Sequence, residues 1–207
     1  KLDAICKELF CDIDKDTVNF VPNYDNKMIE PELLPVTFPT ILVYSNVGIG
    51  VSMASAICPF NLKELCEATI AIIRDPDFDA MQVMNGPDFP GGGYMISDAE
   101  KLRQIFDTGR GSVKIRAKYR YDKDENCIEI TEIPPTTTIE AIIEKVVELA
   151  KNGLKEVSYI RDETDLSGLK ITIDLKRGVD PDELMKKLYQ LTPLQDSFSA
   201  NFNILVN

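Results

Sequence analysis

The chain has 207 residues, 44% of them hydrophobic and 28% charged, the make-up of an ordinary folded protein rather than a disordered one. It contains no histidine and five scattered cysteines without a C-x-x-C pair, which excludes a zinc-site spacing and any Ser–His or Cys–His nucleophile pair. A formal charge of −11 argues against holding nucleic acid by bulk attraction, although a local basic stripe still acts within a Debye length of about 10 Å. No apolar run approaches the roughly 20 residues of a membrane span and no secretory leader opens the chain, so a cytoplasmic protein with reduced thiols is expected.

The opening "KLDAICKELF" reads as the middle of an amphipathic helix over residues 1–11 without an initiator methionine, and a piece of a longer protein is expected. Asp12, Asp14 and Asp16 imitate the start of a calcium loop. Thr17 and Asn23 then stand where that loop needs glycine and glutamate. Pro22, Pro31, Pro35 and Pro39 make the next segment an irregular, extended lead-in. The almost uncharged stretch "YSNVGIGVSMASAICPFN", residues 44–61, admits three readings: a phosphate-cradling loop, a buried segment, or a surface for something apolar. "GIGVSM" lacks the third glycine of a dinucleotide fingerprint and the Lys-Ser/Thr of a phosphate loop, so the first reading is weak.

Asn61 caps a helix, "NLKELCEATIAIIRD", with Glu64 as its capping-box partner and Leu62, Leu65, Ala68 and Ile72 on its apolar face. "NGPDFPGGG" is a glycine- and proline-rich loop, and Ser97 with Glu100 opens a second helix that Gly109 stops. From Ser112 the period becomes two: "SVKIRAKYRY" puts Val113, Ile115, Ala117, Tyr119 and Tyr121 on one face and Lys114, Arg116, Lys118 and Arg120 on the other. The four cations are spaced about 6.7 Å apart along one strand, a pitch that suits successive phosphates, with Arg110 and two glycine N–H groups leading in. The plainer reading is a solvated outer face paired across the ladder with Glu129 and Thr131. "CIEITEI" is the answering strand, followed by a helix over 138–152, two strands, "KEVSYIRDE" and "LKITIDLKR", a helix opened by Pro181, and a final strand, "SFSANFNILVN". The order β-β-α-β-β-α-β gives an α+β class: helices packed on one face of a mostly antiparallel sheet, preceded by a helical and irregular lead-in. The carboxylates of "RDETD", 161–165, read as a solvated loop.

Taken in order, "DIDKDTVNFVPNYDN", "LPVTFPTILV", "GIGVSMASAICPFNL", "GPDFPGGG", "TGRGSVKIRAK", "TEIP", "IRDETDLSGLKITIDLKR" and "LYQLTPLQDSFSANFNILV" resemble bacterial type IIA DNA topoisomerase A subunits, those of gyrase and topoisomerase IV, over essentially the whole chain. The resemblance implies double-strand passage driven by ATP on a B subunit, whose carboxylates hold Mg²⁺, and a tyrosine nucleophile in an Arg-Tyr-Thr motif upstream of residue 1. Arg120-Tyr121-Asp122 is then a decoy, and this chain holds no catalytic residue, metal ligand or cofactor of its own. Residues 1–30 would be the lead-in from a winged-helix domain and 31–207 a tower domain flanking the DNA gate. The implied partners are double-stranded DNA, a homodimeric copy of the A subunit, and the B subunit, with no membrane. The family's DNA-bending isoleucine maps to Ile49, with Asn46, Gly50 and Val51 beside it and Arg110, Lys114 and Arg116 on the basic strand as further DNA contacts. The family commonly has Gly, Asn, Pro and His where this chain has Ser52, Ala56, Cys58 and Phe60, and Tyr where it has Pro135, which puts the neighbouring polar contacts in question. The alternative is a non-enzymatic α+β module that binds nucleic acid or protein.

Overall fold

Helices and antiparallel sheets share the chain, as an α+β reading requires, in the computed structural model, which describes residues 2–51 and 53–204. The amphipathic helix expected over 1–11 is a single turn, α1 (Cys6–Leu9), with no buried residue. An apolar stripe stabilises a short helix only where another element covers it. The proline-rich lead-in is less irregular than its composition suggests, because β1 (Phe20–Pro22) and β2 (Ile29–Pro31) pair as a small antiparallel hairpin. Both prolines sit at non-hydrogen-bonded positions, where a missing N–H costs the ladder nothing, and the ladder continues past them from Asn23 N–H to Met28 C=O at 2.9 Å and from Glu32 N–H to Asn19 C=O at 2.8 Å. The uncharged stretch that follows is also a hairpin, β3 (Asn46–Ile49) and β4 (Ala54–Ile57).

Helix α2 (Leu62–Arg74) starts at Asn61, whose side-chain oxygen accepts from the N–H groups of Lys63 and Glu64 at 3.1 and 3.4 Å. The expected return bond from Glu64 is not made. Its carboxylate accepts instead from the Asn85 backbone at 3.0 Å and side-chain amide at 2.5 Å, tying the glycine-rich loop to the helix. After β5 (Tyr94–Ile96), α3 (Ala99–Thr108) is capped by Asp98 rather than Ser97, with the Asp98 carboxylate accepting from Lys101 N–H at 3.3 Å.

The largest departure from the sequence reading lies in the basic segment. Its unbroken alternation reads as one strand, but it is two: β6 (Arg110–Arg116) and β7 (Lys118–Asp122), joined at the fully buried Ala117 and belonging to different sheets. Alternation runs through Ala117 in phase, so the pattern carries no sign of the break. Then come β8 (Cys127–Glu132), α4 (Ile139–Lys151), β9 (Val157–Asp162), β10 (Ile171–Leu175), α5 (Pro181–Leu191) and β11 (Gln195–Asn201). The single expected sheet is therefore two antiparallel sheets, ordered β3-β4-β11-β6-β5 and β7-β8-β10-β9.

Each sheet has its own core. Ile128, Ile130, Ile171 and Ile173 of the four-stranded sheet pack against Ile142 and Val146 of α4 and Leu184, Met185 and Leu188 of α5. Val113, Ile115, Phe198 and Ala200 of the five-stranded sheet pack against Leu65 and Ala68 of α2 and Leu102 and Ile105 of α3. The chain crosses between the sheets at Ala117 and again just before β11, and the two crossings are bonded to each other, Ala117 N–H to Leu194 C=O at 2.8 Å.

Candidate nucleic-acid interface

The β3–β4 hairpin has two unlike faces, set by its register. Asn46 pairs with Ile57 and Gly48 with Ser55, while Val47 pairs with Ala56 and Ile49 with Ala54. Directly paired residues of an antiparallel ladder point the same way. Ile57 is 1% exposed and anchors the first set in the core, so Val47 and Ile49 stand on the outer side. Ile49 is 91% exposed beside a turn that Gly50 closes by donating to the Met53 carbonyl at 2.8 Å, and Val51 at the tip is fully exposed. Two large apolar side chains held in water at the end of a hairpin gain nothing from folding. Asn46, expected beside Ile49 as a DNA contact, is exposed but on the opposite face of the hairpin.

Following the ladder across the sheet extends the outer face. Ala56 pairs with Asn201 of β11, and Asn201, Ser199, Ser197 and Gln195 pair with Arg110, Ser112, Lys114 and Arg116 of β6. Tyr94 and Ile96 of β5 complete it opposite Arg116 and Lys114. The topology thus places Ile49 and Val47 on the same sheet face as Arg110, Lys114 and Arg116, though more than sixty residues separate them in the chain. None of the strand positions on this face is acidic. Among the described residues no carboxylate lies within ion-pair distance of Arg110, Lys114 or Arg116. Arg116 donates from Nε to the Gln195 side chain at 2.6 Å, and its guanidinium lies 5.1 Å over the Tyr189 ring. In a chain of formal charge −11, a face whose strand positions carry three cations and no carboxylate, with hydroxyls between the cations and an apolar tip at one end, is a marked segregation of chemistry. It suits a polyanion with an apolar interior.

The other two cations of the segment are engaged elsewhere, Arg120 with the partner that the plainer sequence reading gave it and Lys118 with a different one. Arg120 bonds to Glu129, and Lys118 bonds to Glu132 at 2.8 Å rather than facing Thr131, because a register shift after Lys118 moves the pairing. Of the "RDETD" carboxylates, Asp162 and Asp165 are exposed and accept from the nearby Thr164 and Ser167 N–H groups, as a solvated loop would have it, whereas Glu163 joins an ion-pair network. Glu129, 5% exposed, also binds Lys170 at 2.8 Å, Lys170 binds Glu163 at 3.0 Å, Glu163 binds Arg161 at 2.6 Å, and Arg161 reaches Asp174 at 2.5 Å. Arg161, with Thr172 and Lys170, pulls the Glu163 carboxyl down to about 2. Tyr121 is part of this sheet, its hydroxyl donating to Asn126 at 2.9 Å.

Two of the positions that differ from the expected family pattern prove to be packing residues. Cys58 is fully buried, and burial pushes its thiol up to about 12. Phe60, 5% exposed, meets Phe106 and Phe202 edge-on at 5.7 and 6.4 Å. They root the hairpin in the core and leave its tip to other contacts. Ala56 lies on the outer face, Pro135 in an exposed turn, and Ser52 outside the described residues. A cavity of about 610 Å³ on the helix side of this sheet is lined by Ile41, Phe60, Ile72 and Phe106, among others, and among the described residues its lining is apolar but for the Thr69 hydroxyl and includes no cation to hold a phosphate.

A profile of the DNA gyrase/topoisomerase IV A-subunit family matches residues 1–207. The chain belongs to that family. It is 41% identical over 214 residues to the DNA gyrase A subunit of Borreliella burgdorferi and 42% identical over 214 residues to that of Ureaplasma parvum serovar 3, each match covering 100% of this chain. It is also 42% identical over 217 residues to the chloroplastic/mitochondrial DNA gyrase A subunit of Nicotiana benthamiana, again over 100% of this chain. The matches cover 26%, 25% and 23% of those proteins, so this family chain spans about a quarter of their length.

Proposed function

We propose that the chain is the part of a type II topoisomerase A subunit that flanks the DNA gate and bends the duplex to be cut. The observation that carries this is the outer sheet face, which unites the exposed Ile49 with Arg110, Lys114 and Arg116, cations that no carboxylate among the described residues pairs. Ile49, flanked by Gly50 and Val51, enters between base pairs, and the few kcal/mol of unstacking are offset by the wider protein surface that a bent duplex meets. Arg110, Lys114 and Arg116 meet backbone phosphates, which fixes position without reading sequence. Asn46, on the other face of the hairpin, would reach DNA only from its side.

In the whole protein a tyrosine outside this chain attacks the phosphodiester, while the B subunit supplies ATP hydrolysis and the carboxylates that hold Mg²⁺. Two copies of each subunit come together for double-strand passage in the cytoplasm. Residues 1–30 are the lead-in from a winged-helix domain and 31–207 the tower.

The test is strand passage by the full-length A subunit in complex with its B subunit. Reversing charge on the face, with Arg110→Glu and Lys114→Glu together, is expected to weaken duplex binding and slow relaxation of supercoiled DNA at least tenfold. Activity unchanged at moderate salt would remove this face from the reaction. Supercoil relaxation by the 207-residue chain alone would overturn the assignment of the nucleophile to another segment.

A further inference from the structure

We propose that Glu132 is a positioning residue for the nucleic-acid face, acting through Arg116; this rests on the reading of that face given above. Glu132 ends β8 in the four-stranded sheet, and its carboxylate bridges from there to the other sheet. Oε2 accepts the N–H of Gly93, 39 positions upstream, at 2.5 Å and binds Lys118 Nζ at 2.8 Å. Lys118 in turn lies 5.2 Å over the ring of Tyr94, on the outer face.

The glycine loop is shaped to receive that carboxylate. Gly92 has φ +80° and Gly93 φ +101°, and a Cβ on Gly92 would occupy the space of the Glu132 carboxylate itself. A Cβ on Gly93 would fall 2.8 Å from Ile115 Cγ2 and 3.0 Å from the Arg116 carbonyl oxygen, so the loop lies directly on the end of β6. The carboxylate therefore presses the loop onto the backbone of the residue whose side chain faces DNA.

The opposite side of Arg116 is held by the other core. Its guanidinium stacks on Tyr189 of α5, and the Tyr189 hydroxyl donates to the Ala117 carbonyl at 2.7 Å. The place of Arg116 on the five-stranded sheet thus depends on where the four-stranded core sits. Glu132 and Tyr189 are two side chains that fix this, one on either flank of the joint at Ala117. A partly exposed ion pair to Lys118 contributes little by itself. A charge-assisted bond to a backbone N–H fixes geometry, and geometry is what a phosphate contact needs.

The test compares the salt dependence of duplex binding in the full-length A subunit in complex with its B subunit. Each phosphate that the protein ceases to neutralise lowers the slope of log K against log salt by about 0.9. R116A is expected to lose about that much, E132A to lose most of the same increment, and the double variant to lose no more than R116A. E132Q, which keeps an acceptor for Gly93 N–H, is expected to restore the parental slope. A parental slope in E132A, or losses in E132A and R116A that add, would overturn the proposal. A parental slope in R116A would overturn the DNA-facing reading of Arg116, and the proposal with it. Should E132A fail to fold, amide exchange in the parent protein decides: protection of Gly93 N–H supports the pin, and exchange at the unprotected rate removes it.

Discussion

Two isoleucines of one hairpin should behave in opposite ways. Ile49 is 91% exposed and Ile57 is 1% exposed, eight positions apart on facing strands. Ile49→Ala removes three carbons that already lie in water, so unfolding free energy should change by no more than about 0.5 kcal/mol. If that side chain enters a base step, the same three carbons are worth about 0.8 kcal/mol each, or about 2.4 kcal/mol in all. That corresponds to about a 50-fold fall in the bent, inserted complex relative to a straight one. Ile57→Ala empties a packed site and should cost about 2–5 kcal/mol of stability, lowering the melting temperature by several degrees while leaving the tip in place. Bending is read by energy transfer between dyes at the ends of a short duplex bound to the full-length A subunit with its B subunit, and stability by thermal unfolding of the same variants. Parental bending in Ile49→Ala, or a melting temperature lowered as far as in Ile57→Ala, would refute the assignment of Ile49 to DNA and not to the core.

Two further expectations concern the glycine loop beside that face and the ion-pair network of the four-stranded sheet. Gly92→Ala should destabilise the protein by about 1–3 kcal/mol, because its φ of +80° is costly for alanine and Glu132 fills the space of the new methyl; thermal unfolding would show it. Glu163 has a folded carboxyl value near 2 against an ordinary 4.5, chiefly through its bond to Arg161. A depressed folded value stabilises above 4.5, and that contribution is lost as the pH falls towards 2. Acid unfolding followed by circular dichroism should therefore be shallower between pH 4.5 and 2 in Glu163→Gln, and identical profiles would remove Glu163 from the acid response.

The local elements were legible in the residues because their causes are local. Asn61, Thr138 and Pro181 mark helix starts through the geometry of the first turn, and each helix begins there. Gly109 stops α3 for the same kind of reason. The capping partner Glu64 was misread because a carboxylate serves whichever donor the fold brings closest, and Asn85 arrives from another segment. The proline-rich lead-in hid a hairpin, since three-residue strands leave too short a pattern to see.

The chain itself determined the period-two pattern of residues 112–121, the excess of acid, and an uncharged stretch rich in small residues at 44–61. Only the tertiary structure decided that the alternating run breaks at Ala117 into two sheets, because alternation records which side is buried and not which core buries it. It also decided which cations are left for a ligand. Lys118 and Arg120 look the same as Lys114 and Arg116 in sequence, yet pairing with β8 brings Glu132 and Glu129 to the first two, while β11 brings serine and glutamine to the others. Whether a charge faces solvent, a partner or a phosphate is set by the strand beside it, and that neighbour is chosen by the fold over distances that no local pattern spans.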